Sequence, residues 1–298
     1  MKNSTFFSII IPTYNRGDFI FKTIESLLSQ KYTNYEIIIV DDGSTDNTEE
    51  IVKNYLSDNI FYFKKTNGER AAARNFGTIK ARGEYVNFFD SDDLATDIHL
   101  MEASTIINNN SYPEVFHLNY VVQDIDNNIL SKGPIISNFK NQIIDGNPFS
   151  CNGVFIRKDI ALENPFNETR ELSASEDYEL WLRLASKYEI LCSSTVSSIV
   201  IQHDNRSVTS MKDANRLIAR FTTFIRLSSE NASIKMFLGS RINYFKMRNF
   251  LLLSVELADN GFKKSACKFL FKACTLSSLF IVNRTFFAII KRLITNRL

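Results

Sequence analysis

Three carboxylates lie within four residues at the end of an apolar segment, residues 84–93, which has the sequence EYVNFFDSDD. Asp90 and Asp92 are two positions apart, so an extended backbone that continued through them would direct both side chains to the same side. Two oxygen donors in that arrangement can hold Mg²⁺ or Mn²⁺, with ligand phosphates and water completing the shell. The alternative is a polar turn followed by an acidic helix start, because Asp is favoured in turns and caps.

A second acidic pair, Asp41 and Asp42, follows another apolar run at residues 35–40. Neither run alternates clearly between polar and apolar residues, which is typical of strands covered on both faces. Parallel strands place their carboxyl ends at one edge of a sheet, where open α/β sheets bind ligands. The two acidic groups are therefore predicted to line one crevice.

The elements that must position these acids alternate along the first third of the chain. A capping pattern formed by Asp46 and Glu49 marks one helix start, and Pro12 is expected to end the first strand. This alternation of strands and helices is typical of parallel βαβ units and predicts an α/β sheet. The predicted strands are 6–11, 35–40, 60–63 and the segment from 84, and the predicted helices are 18–29, 46–56 and 68–82.

The rest of the chain is less regular. Ser173 and Glu176 form the pattern of a capping box, which predicts a helix over 173–187. From Met211 onward the pattern is helical, with turns near Asn231 and Gly261. The other predictions are a hairpin of 114–123 with 129–132, a loop that becomes a strand within 147–157, and a β-prone pair of segments over 190–201.

The length of the chain and its charge distribution limit the possible domain organisations. A chain of 298 residues can form one large domain with an appendage, or two domains. The net charge of +2 hides a division, because no acid follows Asp259 whereas eight Lys or Arg residues do, giving about −6 for the body and +8 for the tail. That asymmetry indicates a tail that meets an anionic surface. The acidic body has no basic patch with interleaved aromatics, which disfavours nucleic-acid binding.

Cysteine usage and hydropathy point to a reducing cytoplasm. The four cysteines form no CxxC pair and no metal-ligand spacing. The amino-terminal apolar run is too short for a secretory signal and is interpreted as the first strand. No segment approaches the roughly 20 apolar residues that span a bilayer.

Several common catalytic and nucleotide-binding motifs are missing. GxxxxGK[ST] and GxGxxG do not occur, nor do HExxH and GxSxG, so the usual phosphate loops, zinc proteases and serine hydrolases find no support. What remains is chemistry that uses carboxylates, a metal ion and a diphosphate.

Five segments, in order, give a specific resemblance: SIIIPTYNR, DDGSTDNT, GERAAARNFG, GEYVNFFDSDD and SEDYELWLRL. Together they resemble the inverting glycosyltransferases of family 2, which have the GT-A fold, an α/β fold with a Rossmann-like mixed sheet. The resemblance covers roughly residues 5–205. It implies a nucleotide-sugar donor, a divalent metal and single-displacement transfer with inversion. It also implies a GT-A domain over 1–210, with a nucleotide-binding half 1–95 and an acceptor half 96–210, followed by a basic helical region over 211–298.

The resemblance assigns the first loop and the second strand end to the nucleobase. Pro12, Thr13 and Tyr14 would surround the base. Asp42 would accept a hydrogen bond from it, and a carboxylate suits the ring N–H of uracil. The alternative for Asp42 is an Asx-turn that closes on Ser44.

The diphosphate and metal residues follow from the same resemblance. Arg74 and Asn75 match a motif that faces the nucleotide, and an Arg there can pair with phosphate oxygens, although a solvated helix face is the alternative. Asp90 would lie near the ribose and the metal. Asp92 would bind the metal directly and so help to neutralise the departing diphosphate.

Asp177 matches the catalytic base of the family, which takes the proton of the acceptor hydroxyl. The structural alternative is an acid that is favoured in the first turn of a helix. Glu176 is assigned to the acceptor side, with the alternative that it only pairs with Ser173 at the helix start. Trp181, one turn on, is interpreted either as a core residue or as a platform for an acceptor sugar.

The remaining candidates lie in loops of the second half. His203 resembles a histidine near the end of the catalytic domain that can touch the metal or the diphosphate, although the basic residue that commonly precedes it is missing here. Asn152 and Gly153 fall where the acceptor-side loop of the family usually lies. His99 and His117 are predicted to be structural.

These assignments predict a bacterial enzyme on the cytoplasmic face of the cell membrane that moves a hexose or N-acetylhexosamine from a UDP-sugar to a lipid-diphosphate-linked glycan, in O-antigen or capsule assembly. The tail would lie on the anionic leaflet, or it would pack on the body as a helical cap. One rival is a sugar nucleotidyltransferase, but the Gly-rich basic segment expected after its first strand is missing. The other is a non-catalytic scaffold, which the intact acids disfavour.

Overall fold

The computed structural model describes residues 4–203 and 213–276. They divide into two compact units. The first unit contains the chain up to Lys140 together with Pro148–Arg170 and Glu176–His203. The second contains Asn141–Asn147, Glu171–Ser175 and the described residues beyond His203.

The first third of the chain forms the predicted parallel sheet. The elements are β1 (Phe7–Thr13), α1 (Gly17–Leu28), β2 (Tyr35–Asp41), α2 (Thr48–Lys53), β3 (Ile60–Lys64), α3 (Glu69–Lys80) and β4 (Tyr85–Phe88). The strands lie side by side in the order β3-β2-β1-β4, and β1 and β2 are buried along their whole length. The carboxyl ends of β2 and β4 therefore flank the end of β1, which confirms the predicted convergence of the two acidic groups.

Two predicted boundaries are wrong. Strand β1 continues through Pro12 to Thr13, in register with Val40 and Asp41 of β2. On its other side β1 pairs with β4 only as far as Ile10, so the missing N–H of Pro12 interrupts no ladder there. Helix α2 is shorter than the predicted 46–56, because the carboxylate of Asp46 closes a local turn on Thr48 rather than belonging to a longer helix.

The second half of the sheet is mixed. The elements are β5 (Leu94–Ala95), α4 (His99–Asn109), β6 (Val115–Asp124), β7 (Ile129–Lys132), α5 (Phe139–Asp145), β8 (Val154–Arg157), α6 (Lys158–Glu163), α7 (Glu176–Ala185) and β9 (Ile190–Gln202). The sheet continues in the order β4-β8-β6-β9-β5, and β7 pairs with β6 as the predicted hairpin. Strand β8 is antiparallel to both β4 and β6, whereas β6 and β9 are parallel. The segment predicted as two β-prone pieces is one strand, β9, with register shifts against β6.

The core of this unit holds the two halves of the sheet together. The rings of Phe116 and Phe155 stack with centroids 5.0 Å apart, and Phe7 meets Phe155 edge-on at 5.7 Å. Burying each such ring stabilises the fold by about 1.5–3 kcal/mol. Helix α3 lies close on the sheet, because a Cβ at Gly77 would be only 2.4 Å from Ile10.

The second unit is helical, as predicted. Asp213 caps α8 (Ala214–Glu230) and Asn231 caps α9 (Ala232–Leu238), each with its side chain. After a break at Gly239, which has a positive φ, the chain forms α10 (Ile242–Asp259) and α11 (Lys263–Leu276). Over residues 4–203 and 213–276, no helix is both long and apolar enough to cross a membrane. Most of the predicted membrane-binding tail, residues 277–298, lies outside the described residues.

Candidate active site

The end of β2 forms a turn in which the two adjacent acids have different tasks. The carboxylate of Asp41 accepts from the Ser44 N–H at 2.6 Å, so the Asx-turn that was the alternative role of Asp42 is closed by its neighbour instead. The Asp42 N–H donates to the Thr13 carbonyl at 2.8 Å, which ties the ends of β1 and β2 together. The Asp42 side chain is thereby left for another partner.

That partner is Lys65, which sequence reasoning missed. The Lys65 ammonium and the Gly68 N–H donate to Asp42 Oδ1 at 2.7 and 2.9 Å. A Cβ at Gly68 would lie 2.9 Å from Lys65 Nζ, so the glycine leaves room for the ammonium. Within the described part of the chain, Asp42 Oδ2 accepts no hydrogen bond. Tyr14, at the end of β1, has a side chain that is 48% exposed.

The loop after β1 connects this turn to the DSDD segment. Asn15 adopts a positive φ of 49°, which Asn tolerates better than most residues, and its side-chain oxygen accepts from the Thr45 N–H at 2.8 Å. The next residue, Arg16, donates from Nε to Asp92 Oδ2 at 3.3 Å. Arg16 was given no role in the sequence analysis, so it is a second site residue that the sequence did not reveal.

The DSDD segment is a turn. Strand β4 ends at Phe88, and the Asp93 N–H donates to the Asp90 carbonyl at 3.3 Å. The expectation that an extended backbone carries Asp90 and Asp92 to the same side is therefore wrong. Asp90 pairs with Arg74, whereas Asp92 Oδ2 lies 3.1 Å from His203 Nε2.

A divalent cation fits the Asp92–His203 pair only with help from a ligand. The two side chains offer one oxygen and one nitrogen donor, and the His203 ring stacks on Phe19 with centroids 4.3 Å apart. The buried Nδ1 of His203 has no partner among the described residues, and Nε2 is the ring nitrogen that faces Asp92. No group of three His, Cys, Asp or Glu residues within the described ranges can hold a metal alone. A cation bound there would need further oxygen donors, from a ligand or from water, to complete its shell.

Arg74 joins the DSDD turn to helix α7. Its Nη2 donates to Asp90 Oδ1 and its Nη1 to Glu176 Oε1, both at 2.8 Å, and its guanidinium lies 5.1 Å from the Phe166 ring centre. The residue is only 1% exposed, so the alternative of a solvated helix face is wrong. Its two terminal nitrogens are engaged by carboxylates, and Arg74 thus connects the two acidic regions.

Asn75 holds a loop in place. Its amide donates to the Phe166 carbonyl at 2.9 Å, and its oxygen accepts from the Phe166 N–H at 2.8 Å. The amide also donates to Glu168. These bonds fix Phe166 beneath Arg74, so Asn75 contributes to the site through the arginine rather than by facing a nucleotide directly.

Helix α7 begins at Glu176, and this changes the predicted capping box. The box requires the acid at the third helical position, whereas Glu176 is at the first. Burial would raise the pKa of Glu176, but the guanidinium groups of Arg70 and Arg74 outweigh it and lower that pKa. Glu176 is therefore held as an anion by the two arginines.

The neighbouring acid behaves differently. Removal from water and the charge of Glu176 raise the pKa of Asp177 to about 6, although Arg74 opposes the change. Asp90 contributes a smaller repulsion, which places Asp177 within electrostatic range of the DSDD turn. A carboxylate with this pKa can accept a proton near neutral pH.

Three acceptor-side predictions need correction. Trp181 is fully buried and packs edge-on against Phe166, so it is a core residue and presents no face to a sugar. Asn152 is also buried, and its amide donates to Asp93. Gly153 is packed so closely that a Cβ there would lie 2.1 Å from the Leu118 carbonyl oxygen. Asn152 therefore supports the DSDD turn, and Gly153 allows a close approach of its backbone to β6.

The two remaining histidines are structural, as predicted. His99 and His117 are completely buried, and burial lowers the pKa of each to about 3, so both are neutral. His99 lies within hydrogen-bond distance of Ser197 and Asn87. A common signal does exist for the residues that were missed: Lys65 directly follows β3 and Arg16 is the third residue after β1, both at the same sheet edge as the acids.

Solved structures establish the fold class. Residues 1–349 of S. aureus TarS, in complex with UDP-GlcNAc, align with a TM-score of 0.65 at 20% identity, covering 97% of this chain and 88% of that one. A mannosyltransferase of Pyrobaculum calidifontis, solved with GDP-Man and Mn²⁺, aligns with a TM-score of 0.57 at 17% identity, covering 98% and 88%. At this identity the likeness shows the GT-A fold alone.

Sequence relatives establish the family. The family model described as glycosyl transferase family 2 matches residues 8–151. An uncharacterized glycosyltransferase of Rickettsia typhi is 30% identical, covering 91% of this chain and 92% of the relative. The Escherichia coli UDP-Glc:alpha-D-GlcNAc-diphosphoundecaprenol beta-1,3-glucosyltransferase WfaP is 34% identical over 189 residues, covering 60% and 70%. The chain spans only 31% of the length of its Rickettsia conorii relative. The chain belongs to glycosyltransferase family 2.

Proposed function

We propose that this protein is an inverting glycosyltransferase that moves a hexose or N-acetylhexosamine from a UDP-sugar to a hydroxyl of an undecaprenyl-diphosphate-linked glycan, in the assembly of O-antigen, capsule or a related polysaccharide. The observation that carries the proposal is the Arg74 bridge between Asp90 and Glu176. This bridge connects the turn assigned to the diphosphate with the helix that carries a carboxylate of raised pKa.

Uracil recognition is assigned to Asp42 and Lys65. The Watson–Crick edge of uracil presents an N–H between two carbonyl oxygens. Asp42 Oδ2 would accept from this N–H, while Lys65 has three N–H donors, of which Asp42 and Thr66 engage two. The third can reach a uracil carbonyl. Tyr14, Pro12 and Thr13 would enclose the ring.

Asp92 and His203 would hold Mn²⁺ or Mg²⁺ together with the donor diphosphate, and the ion would neutralise the charge that develops as the diphosphate departs. Arg16, 3.3 Å from Asp92, adds a fixed positive charge at the same place. The Mn²⁺ with which the Pyrobaculum mannosyltransferase was solved supports this assignment.

Asp177 is the proposed general base. It would take the proton of the acceptor hydroxyl while the hydroxyl oxygen bonds to the anomeric carbon and the bond from that carbon to the diphosphate oxygen breaks. Attack from the face opposite the diphosphate inverts the anomeric centre. Glu176 cannot serve in this way while two arginines hold it as an anion of lowered pKa.

The lipid-linked acceptor and a place on the cytoplasmic face of the cell membrane are also proposals. The acceptor named for the Escherichia coli relative supports the first. Helix α11 supports the second, because Lys264, Lys268 and Phe271 lie on one exposed face, with Phe271 72% exposed. All four cysteines are free, which fits a reducing compartment.

A transfer assay tests the proposal. Radiolabelled UDP-sugars would be incubated with undecaprenyl-diphosphate-linked GlcNAc and Mn²⁺, and the anomeric configuration of any product determined by NMR. We expect transfer from at least one UDP-hexose or UDP-N-acetylhexosamine, with a β-linked product from an α-linked donor. Absence of both transfer and UDP binding would refute it, and a retained α configuration would refute the mechanism.

A further inference from the structure

The third acid of the DSDD turn has no assigned role. Asp93 is 1% exposed, and both of its carboxylate oxygens face inward. Oδ2 accepts from the side-chain amide of Asn152 at 2.8 Å, and Oδ1 accepts from the Ile201 N–H at 2.9 Å. Its carbonyl also accepts from the Thr23 hydroxyl at 2.8 Å. Asp93 therefore connects the turn to α1, to β9 and to the segment that precedes β8.

Asn152 completes the connection. Its side-chain oxygen accepts from the Asp90 N–H at 2.8 Å, while its amide donates to Asp93, so one side chain holds both ends of the turn. Its own carbonyl accepts from the buried amide of Asn87 on β4 at 2.8 Å. Asn152 is 1% exposed, so water cannot readily replace these bonds.

These contacts lead to the two proposed cation ligands. Asp92 lies inside the turn that Asn152 holds closed at both ends. His203 lies two residues beyond Ile201, whose N–H is fixed by Asp93. Asp92 Oδ2 and His203 Nε2 are 3.1 Å apart, and the buried pair of Asp93 and Asn152 is bonded to the chain next to each of them.

We propose that the Asp93–Asn152 hydrogen bond is a positioning device that sets the geometry of Asp92 and His203 and thereby the affinity of the site for a divalent cation in the presence of UDP. The inference rests on the proposed function, because it takes Asp92 and His203 as the cation ligands. Replacing a residue that holds a metal ligand in place commonly lowers the affinity for the metal by about 10–100-fold.

The residue types of Asp93 and Asn152 can be exchanged as a test of their hydrogen bond. In Asp93→Asn, an amide donor would face the amide of Asn152. In Asn152→Asp, two carboxylates would face each other. The double variant Asp93→Asn/Asn152→Asp reverses the direction of the central bond while both outer bonds, from the Ile201 N–H and the Asp90 N–H, still find an oxygen acceptor. Each single change breaks the device, and the double change rebuilds it.

The experiment measures Mn²⁺ affinity of the full chain in the presence of UDP by electron paramagnetic resonance, and UDP affinity without metal by calorimetry. We expect each single variant to bind Mn²⁺ about 10–100-fold more weakly, and the double variant to recover to within about threefold of the wild type. Metal-free UDP affinity should change by less than about twofold in all three, because Asp42 and Lys65 are untouched. Thr23→Val, which removes a bond to the same turn but leaves the Asp93–Asn152 pair, is the matched control and should keep Mn²⁺ affinity within about twofold.

Several results would overturn the proposal. Folded single variants with wild-type Mn²⁺ affinity would do so, and so would a double variant that folds but does not recover. If the single variants fail to fold, the double variant decides, since the rebuilt network must both fold and bind Mn²⁺. A wild-type protein with no Mn²⁺ binding in the presence of UDP would instead contradict the proposed function itself.

Discussion

The carboxylates at the strand ends and those at the start of α7 belong to the same residue types, but their neighbours differ. Asp42 and Asp92 each lie beside a cationic side chain, Lys65 in one case and Arg16 in the other. At the start of α7, Arg70 and Arg74 lower the pKa of Glu176 despite its burial, whereas removal from water and the charge of Glu176 raise the pKa of Asp177 to about 6. Nearby cations favour the charged form of a carboxylate, whereas burial and a neighbouring carboxylate favour its protonated form.

The largest expected effect separates these two tasks. Asp177→Asn keeps the size of the side chain but removes its basicity, so kcat should fall by about 10²–10⁴-fold. UDP affinity, which is assigned to the strand ends, should change by less than about twofold in calorimetry. Asp97→Asn, in an exposed pair with Lys31, is the control and should leave both quantities unchanged. A variant that loses UDP binding in parallel with kcat would show that the two regions are not separate.

Arg74 connects the two regions, and its removal should cost stability. Arg74→Leu leaves Glu176 buried without its closest cation, which should reduce the free energy of unfolding by about 3–5 kcal/mol in urea titrations. The double variant Arg74→Leu/Glu176→Leu removes both buried charges and should recover a large part of that loss. If the double variant is no more stable than the single one, the Arg74–Glu176 pair does not contribute as described.

The sequence predicted the strand-end region well, and physical reasons explain this. Buried parallel strands such as β1 and β2 are continuous apolar runs, and their carboxyl ends must share an edge, so Asp42 and the DSDD turn could be brought together without coordinates. The local backbone was harder to predict. Three acids within four residues fit both an extended segment and a turn, and only the bond from the Asp93 N–H to Asp90 decides for the turn.

The acceptor half was predicted less well, because its contacts join residues far apart in the chain. The pattern of Ser173 and Glu176 indicates a capping box, yet Glu176 pairs with Arg74, 102 positions away. The resemblance placed Asn152 on the acceptor side, and the sequence left Trp181 open between core and acceptor platform, because neither signal specifies the packing that buries both residues. Lys65 and Arg16 could have been found by applying the strand-end rule to cations as well as to acids.

A smaller effect tests the strand-end region alone. Lys65→Met removes the ammonium beside Asp42 and should weaken UDP binding by about tenfold or more, because a hydrogen bond to a charged group contributes about 1.5–3 kcal/mol. Lys65→Met should also reduce the ratio of the Kd for CDP to the Kd for UDP. Lys64→Met is the matched control, since Lys64 pairs with Glu49 in an exposed position. Equal losses from both variants would indicate a general charge effect rather than recognition of the base.

The smallest effect concerns pH and belongs to the α7 region. Because the pKa of Asp177 is raised to about 6, kcat/KM should rise with pH with a midpoint near 6, and Glu176→Gln should move that midpoint to lower pH by removing a like charge.

The free energy of unfolding should change with pH in the opposite direction. Between the ordinary value of 3.8 and about 6 the folded protein binds this proton more tightly than the unfolded chain, so the contribution of Asp177 to the free energy of unfolding falls as pH rises through this window. Asp177→Asn lacks that loss, so its stability relative to the wild type should be greater at pH 7 than at pH 4 in urea titrations. A stability difference that does not depend on pH would contradict the raised pKa of Asp177, and with it the contrast between Asp177 and Glu176 at the start of α7.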